Sequence, residues 1–440
     1  MQTLPQKTAP AIHQDLTLEE KLQLLSGAAK YDAACASSGS TRQGNGIGAA
    51  QQSGVCHSWS ADGRCISLLK VLYSNQCRFD CAYCINRRSN NHRRATFTPQ
   101  ELAQLTIDFY RRNYIEGLFL SSAVFSSPDE TMLQLLQTLH LLRHQHRFHG
   151  YIHLKIIPGC SSELLSEAAA LADRMSANIE LPSQQSLHQL APEKDERQIL
   201  QIFSAVHALT GNRRLPAKQQ KNHSINPAGM STQMIVGATP ESDLTILQRA
   251  DLLYRGPGLK RVYYSAYIPV NQDNRLPALS GAPPLLREHR LYQADWLLRF
   301  YDFKLEEILD PAQPQLDIEL DPKAAWALRH LEHFPLDVNR ASKAELLRIP
   351  GVGVRSTLRI LQARHQTRLQ TEDLQRLGVV MKRARYFLHD GRHYLGDVPQ
   401  REDFIRRALT SENRKKSARQ MSFNFSTSAA TAVSAQTGEL

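Results

Sequence analysis

Short, continuous apolar runs alternate along the chain with longer stretches whose apolar residues recur every three to four positions. The runs fall at 67–74 (SLLKVLYS), 117–122 (GLFLSS), 151–157 (YIHLKII), 178–181 (NIEL), 233–238 (QMIVGA) and 261–268 (RVYYSAYI). They read as strands, and the amphipathic stretches between them read as helices at 128–147, 162–174, 196–209 and 241–254. Another helix opens at Pro99, where Thr98 as N-cap and Glu101 three residues on form a capping box. An amphipathic stretch at 16–29 is a further short helix. Strands without polar alternation are covered on both faces, as in parallel sheets. The pattern predicts an α/β fold, a partial (β/α)6 TIM-like barrel, since eight units would close the ring. A doubly wound sheet fits the same alternation. In either form the ligand site lies at the carboxyl ends of the strands.

The rest of the chain divides by composition. Residues 1–14 are polar and aperiodic and read as disordered; 15–66 form a lead-in, with a Ser/Gly/Gln-rich loop at 37–54. The barrel is assigned to 67–310, with a Pro-bearing loop at 269–284 and a helix at 290–303 apolar enough to pack on it. A connector at 310–317 leads to a small all-α domain at 324–410. Residues 411–440, Ser/Thr/Ala-rich with a basic start, read as a disordered tail.

The 440 residues are 42% apolar and 22% charged, the balance of an ordinary soluble domain. No run approaches the roughly 18 apolar residues of a membrane span, and the first 20 residues contain no apolar h-region. A cytoplasmic protein with no membrane partner is the expectation. There the seven cysteines point to metal binding or catalysis rather than bridges. The net charge is +11, and residues 331–420 carry 19 Lys+Arg against 10 Asp+Glu. Such a local excess suits a polyanion, nucleic acid first, or a solvated basic surface.

Cys77, Cys81 and Cys84 form C-x3-C-x2-C directly after the first strand. Three thiolates on one loop can hold three irons of a [4Fe–4S] cluster and leave the fourth open. Zinc held by the three cysteines and His92, or unligated core cysteines, are the alternatives. In spacing and placement the loop resembles that of the radical S-adenosylmethionine (radical SAM) enzymes. The resemblance implies a [4Fe–4S] cluster whose open iron chelates the amino and carboxylate groups of SAM. It also implies an electron donor such as flavodoxin or ferredoxin, and a 5′-deoxyadenosyl radical that abstracts a substrate hydrogen. By the same resemblance Tyr83 packs near the adenine. Ser121 and Ser122 stand where the family has Gly-Gly-Glu for the SAM amino group. Asn178 and Glu180 meet the ribose or carboxylate, and Val236, Gly237 and Ala238 lie against the adenine.

Other residues carry weaker signals. Cys35, Cys56, His57 and Cys65 form part of a second metal site or are small buried side chains. Cys160 reads as structural. Arg87, Arg88, Arg93 and Arg94 after the cluster loop, and the basic stretch 211–223, are phosphate contacts or solvated loops.

The stretch 337–366 resembles a helix–hairpin–helix DNA-binding motif. Its first helix ends at Arg348, its hairpin is 349–353 and its second helix starts at Val354. Gly351 and Gly353 allow a phosphate to approach the backbone, and the amides from Val354 onward point at it. Arg355 and Arg359, one turn apart, add charge. Packing alone is the alternative. The segment 373–388 resembles the continuation of such a domain and adds Lys382, Arg383 and Arg385.

The whole arrangement resembles the DNA modification/repair radical SAM proteins, a family associated with a uracil-DNA-glycosylase-like partner. The implied function is radical modification or repair of DNA. A radical SAM enzyme acting on RNA and a non-catalytic DNA-binding protein with a structural cluster remain alternatives.

Overall fold

The computed structural model describes residues 16–29, 55–59, 65–211, 226–278, 284–389, 391 and 393–420. The expected disorder at 1–14 and 421–440, the loop at 37–54, Cys35 and most of the basic stretch 211–223 lie outside the described residues. Two compact units are present. One holds the described residues up to Glu241 and Leu252–Pro284; the other holds Ser242–Asp251 and the described residues from Leu285 on. No helix among the described residues is long and apolar enough to cross a membrane.

The first unit is built on one sheet. β1 (Val55–Trp59) pairs antiparallel with β2 (Cys65–Leu72). Then β3 (Gly117–Ser121), β4 (Tyr151–Lys155), β5 (Arg174–Ser176), β6 (Met230–Val236) and β7 (Arg261–Ala266) follow in chain order, each parallel to the last. The six parallel strands curl into a half-barrel. The helices of this part of the chain are α1 (Leu18–Ala29), α2 (Pro99–Arg111), α3 (Pro128–His140), α4 (Ser162–Leu171), α5 (Gln184–Leu190), α6 (Glu196–Gly211) and α7 (Asp243–Arg255). α2 starts as its sequence dictates: Thr98 Oγ1 accepts the Glu101 N–H at 3.2 Å and the Glu101 carboxylate accepts the Thr98 N–H at 2.8 Å. Leu68, Leu118, Leu120, Leu154, Met175, Met234 and Tyr264 are fully buried, each worth roughly 1.5–3 kcal/mol in transfer from water.

Two elements differ from expectation. β1 lies in the lead-in, where no strand was expected, and it places Cys56 opposite Leu68 and Trp59 opposite Cys65. The fourth strand is Arg174–Ser176 rather than 178–181. Beyond Ser176 the backbone leaves the regular ladder: the Ile179 N–H donates to Thr232 Oγ1 at 2.9 Å, and Glu180 takes φ +67°. Only a single bridge, Glu180 to Met234, marks the NIEL segment.

The second unit is helical. α8 (Leu285–Phe300), read from sequence as a barrel helix, belongs here and neighbours α10 (Pro322–Arg329); α9 (Leu305–Ile308) lies between them in sequence. Next come α11 (Lys343–Arg348), α12 (Val354–Ala363), α13 (Thr371–Arg376), α14 (Met381–Ala384) and α15 (Glu402–Gln420). A two-residue parallel pair, β8 (Leu336–Asp337) with β9 (Leu388–His389), brackets α11 to α14. α15 runs to Gln420, well into the stretch from 411 assigned to a tail.

Gly117, the first residue of β3, lies between β2 and β4, where a Cβ would lie 2.2 Å from the Tyr151 carbonyl oxygen. Gly117→Ala is expected to lower stability by about 1–3 kcal/mol, the usual cost of overpacking. Urea denaturation followed by circular dichroism measures it; an unchanged midpoint would contradict this packing.

Candidate active site

The three cysteines lie on an irregular loop leaving β2, so its backbone groups need partners other than a ladder. At its base the Tyr73 N–H donates to the Ser121 carbonyl at 2.7 Å and the Phe97 N–H to the Tyr73 carbonyl at 2.9 Å. Arg94, 2% exposed, fills the loop from within. Its guanidinium donates to the carbonyls of Asn75 (2.6 Å), Asn86 (3.0 Å), Arg87 (2.7 Å) and Asn90 (3.0 Å). From the far side of the barrel Asn271 Nδ2 donates to the Ala82 and Cys84 carbonyls at 2.7 and 2.8 Å, while its Oδ1 accepts from Asn90 at 2.7 Å. The turn after α5 clamps the third side, through Ala82 N–H to the Leu190 carbonyl at 2.7 Å and Asp80 N–H to Glu193 Oε2 at 2.5 Å.

A cavity of about 230 Å³ opens at the carboxyl ends of the strands, and Cys77, Cys81 and Cys84 line it. All three are free thiols. Burial pushes the Cys81 thiol up to about 11 and the Cys84 thiol up to about 12. Such thiols ionise against a bound cation, which deprotonates them outright. The three sulfurs do not all fall within 4.8 Å of one another. One zinc ion at about 2.3 Å from each sulfur demands a tighter set, whereas a cluster spreads its ligands over several irons. His92, the fourth ligand of the zinc alternative, is not in the lining. The Phe79 N–H donates to Cys77 Sγ at 3.4 Å, the kind of contact that tunes cluster sulfurs. The donor set therefore fits a [4Fe–4S] cluster with three protein ligands. Cys160, also a free thiol, is outside the lining.

The cavity gathers Tyr83, Ser122, Asn178 and Glu180 around these sulfurs. Tyr83 Oη and Tyr267 Oη, both on lining residues, are buried without a hydrogen-bond partner, which suits a polar ligand. Ser121 is buried in β3 and lies outside the lining, as do Val236, Gly237 and Ala238. From β6 the lining takes Gln233 and Ile235 instead. Gly237 has φ +84° with Pro284 so close that a Cβ would meet it at 2.7 Å, and Ala238 packs with Ala82, Leu181, Leu190 and Tyr267. Sequence reasoning missed Lys155, Lys194, Tyr267 and Asn271. Lys155 ends β4, so its strand-end position was a usable signal; Lys194 and Asn271 sit in turns with no motif. Lys194 Nζ donates to Glu180 Oε1 at 2.6 Å and stands 5.9 Å from the centre of the Tyr83 ring. Burial works against its charge, but Glu180 and its neighbours outweigh that and hold its pKa well above the lysine norm.

The basic loop needs correcting. Arg87, expected to grip a phosphate, is bound to Asp80 at 2.9 and 2.8 Å and to Asp273 at 3.2 Å. It holds the Asp80 carboxyl well below the usual range; Arg275, with Arg87 assisting, does the same for Asp273. Arg94 is internal. Arg88 is exposed, donating to the Arg78 carbonyl at 2.9 Å and lying 3.5 Å from Glu193, and Arg93 lies 3.6 Å from Glu20. For Cys56, His57 and Cys65 the structure gives strand register alone.

In the second unit a short turn, 349–353, joins α11 to α12. Ser342 and Glu345 make a capping box, Gly351 turns at φ +79° and Gly353 is the N-cap of α12. Val354 is half-buried; Arg355 and Arg359 are exposed and unpaired among the described residues. Gly351 faces protein: a Cβ there would lie 2.6 Å from the Val380 carbonyl.

Arg94→Met removes four hydrogen bonds at once and leaves buried carbonyls unpaired, at roughly 1–3 kcal/mol each. Circular dichroism is expected to keep its helix signal while iron and sulfide bound per chain fall to a minority of sites. Full loading in that variant would contradict the stapling role.

A comparison with curated proteins finds no match. Among solved structures, the chain is similar to the [FeFe]-hydrogenase maturase HydG at 11% identity and TM-score 0.39, covering 51% of this chain and 48% of that one. It is also similar to methylornithine synthase PylB (14%, TM-score 0.38, 70% and 84%) and to the radical S-adenosylmethionine methyltransferase TsrM of Kitasatospora setae (11%, TM-score 0.32, 44% and 35%). The chain thus spans about half the length of the maturase. Residues 62–178, which include the three-cysteine loop, match the family of 4Fe-4S single cluster domains, so this part of the chain carries a [4Fe–4S] cluster as its cofactor.

Proposed function

We propose that the protein is a radical SAM enzyme that modifies or repairs DNA, its first unit carrying the chemistry and its second holding the nucleic acid. The observation that carries the enzymatic part is the placement of three cysteine sulfurs on one loop at the carboxyl rim of a parallel half-barrel, in a cavity with buried unpaired hydroxyls. Held by Cys77, Cys81 and Cys84 and reduced by a one-electron donor such as flavodoxin or ferredoxin, the cluster would supply the electron for reductive cleavage of SAM and thereby the means of hydrogen abstraction from a substrate.

The chain's own residues do the rest. Cys77, Cys81 and Cys84 hold the cluster, and Arg94 and Asn271 fix the loop that presents them. Tyr83 and Tyr267 bring hydroxyls to the cavity, and the buried Leu72 and Val124 give it apolar walls.

The DNA part is supported by the α11–α12 hairpin, the two unpaired arginines of α12 and the basic excess of residues 331–420. Such contacts position a backbone without reading sequence. A target base must be unpaired or flipped to enter the half-barrel. A uracil-DNA-glycosylase-like protein is the partner this reading proposes.

Anaerobic reconstitution with iron and sulfide, followed by dithionite and SAM, is expected to give 5′-deoxyadenosine, and Cys81→Ala to abolish it. A colourless protein holding only zinc would overturn the enzymatic reading. Fluorescence anisotropy with duplex DNA, single-stranded DNA and structured RNA at one salt concentration tests the partner. Arg355→Ala with Arg359→Ala is expected to weaken DNA binding equally across sequences and to reduce the salt slope by about 1–2. Tighter binding to RNA than to DNA would turn the reading to RNA.

A further inference from the structure

Away from the cysteine cavity, the second unit gathers three metal-ligating side chains on one short turn. His330 Nδ1 lies 3.1 Å and His333 Nε2 3.7 Å from the same oxygen, Glu332 Oε1. All three donor atoms fall within 4.8 Å of one another. Ligands held at about 2.0–2.2 Å in a tetrahedron stand roughly 3.3–3.6 Å apart, so the two spacings to Glu332 bracket those of a metal shell. As stabilising contacts alone, such exposed pairs contribute little.

The gathering follows from the way α10 ends. Residues two apart point to different sides of an α-helix. Here the α-helix stops at Arg329, His330 takes φ −124° and ψ 41°, and Leu331–His333 turn as a 3-10 segment, in which positions three apart come into register. Both imidazoles rest on the buried indole of Trp326: the His330 ring centre is 4.7 Å from it, and the His333 ring lies within 9° of parallel at 6.4 Å. Rings braced in this way lose little further freedom on binding an ion. The potential is favourable too. The turn stands at the carboxyl end of α10, where the helix dipole attracts a cation. Arg329 directs its guanidinium to the Glu307 and Ile308 carbonyls, and Glu345 is near enough to His333 for their charges to interact.

We infer that His330, Glu332 and His333 bind a divalent transition ion of the zinc class, with at least one coordination position left to water. Two imidazoles and a carboxylate suit zinc or nickel(II); magnesium and calcium take shells of oxygen. Three protein ligands leave the fourth position of a tetrahedral ion open, and with Glu332 and His333 exposed that position faces solvent. The site is independent of the radical SAM reading, since its ligands lie in the other unit and carry no sulfur.

Isothermal titration calorimetry with Zn2+ on the anaerobically reconstituted full chain, its cysteine loop occupied by the cluster, tests the site. Wild type is expected to take up about one more equivalent than the double variant His330→Asn/His333→Asn. Glu332→Gln leaves both rings on the indole, so it separates ligation from packing; it is expected to weaken that step at least tenfold, the loss that even an outer-shell partner causes. Circular dichroism is expected to be the same for all three proteins, because the altered side chains are exposed or half-buried. Trp326 gives a second readout: Ni2+ is expected to quench more of the tryptophan fluorescence in wild type than in the double variant. Equal zinc uptake and equal quenching in wild type and the folded double variant would overturn the inference. Displacement of the zinc by a large excess of Mg2+ would overturn the assignment to a nitrogen-preferring ion.

Discussion

A single buried guanidinium holds together the part of the molecule where chemistry is placed. The cysteine loop has neither helix nor strand to satisfy its carbonyls, and much of it is buried or half-buried. Arginine has five donors in a rigid planar fork, so Arg94 can serve four carbonyls spread over sixteen residues of chain. A lysine, with one compact charge, could not reach them together. Burial alone disfavours the Arg94 charge, and ionised Cys77 and Cys84 favour it. The coupling is reciprocal: a cation fixed inside the loop also favours an anionic cluster and its thiolates. Structural staple and electrostatic support are therefore the same contact.

The half-barrel turns that loop into one wall of a shared site. Because β2 to β7 are parallel and consecutive, every strand delivers its next residues to the same rim. Leu72, Ser122, Lys155, Asn178, Ile235 and Tyr267 all arrive there although up to 195 positions separate them. The shortness of β5 belongs to the same logic. A regular strand through 178–181 would have continued the ladder. Instead Thr232 Oγ1 takes over one backbone N–H, donates to the Ala177 carbonyl at 2.8 Å, and lets Glu180 adopt the left-handed conformation in the cavity wall. Ladder regularity ends where Glu180 joins the cavity lining.

That substitution explains what could be read from sequence and what could not. The strands were legible because burial on both faces leaves an uninterrupted apolar record, and the cysteine loop because its chemistry is written in local spacing. NIEL reads as strand by composition, and only its side-chain bond to Thr232, 53 positions away, shows otherwise. β1 was missed because its residues carry no apolar run. Arg87, Arg88, Arg93 and Arg94 look alike in sequence, yet two of them are internal. Their partners, Asp80, Asp273 and four carbonyls, are brought to them by the fold. Lys194 and Asn271 lie in turns, where position in the barrel and not residue type confers the role.

The second unit makes the same point about glycine. Its α11–α12 hairpin was legible, from the Ser342 capping box to the Pro-Gly turn, and a glycine there invites the reading of close phosphate approach. The structure fills that space with protein. The Val380 N–H donates to the Gly351 carbonyl at 2.9 Å, and Ser356 Oγ donates to the Gly378 carbonyl at 2.9 Å, where Gly378 turns between α13 and α14 at φ +89°. The two glycine turns thus brace one another, and their positive φ is required by packing. Gly353 differs: a Cβ there would meet only Tyr301 Oη, at 3.5 Å. On the proposed function a polyanion would be met by the α12 amides beyond Gly353 and by Arg355 and Arg359, while Gly351 keeps the hairpin in shape.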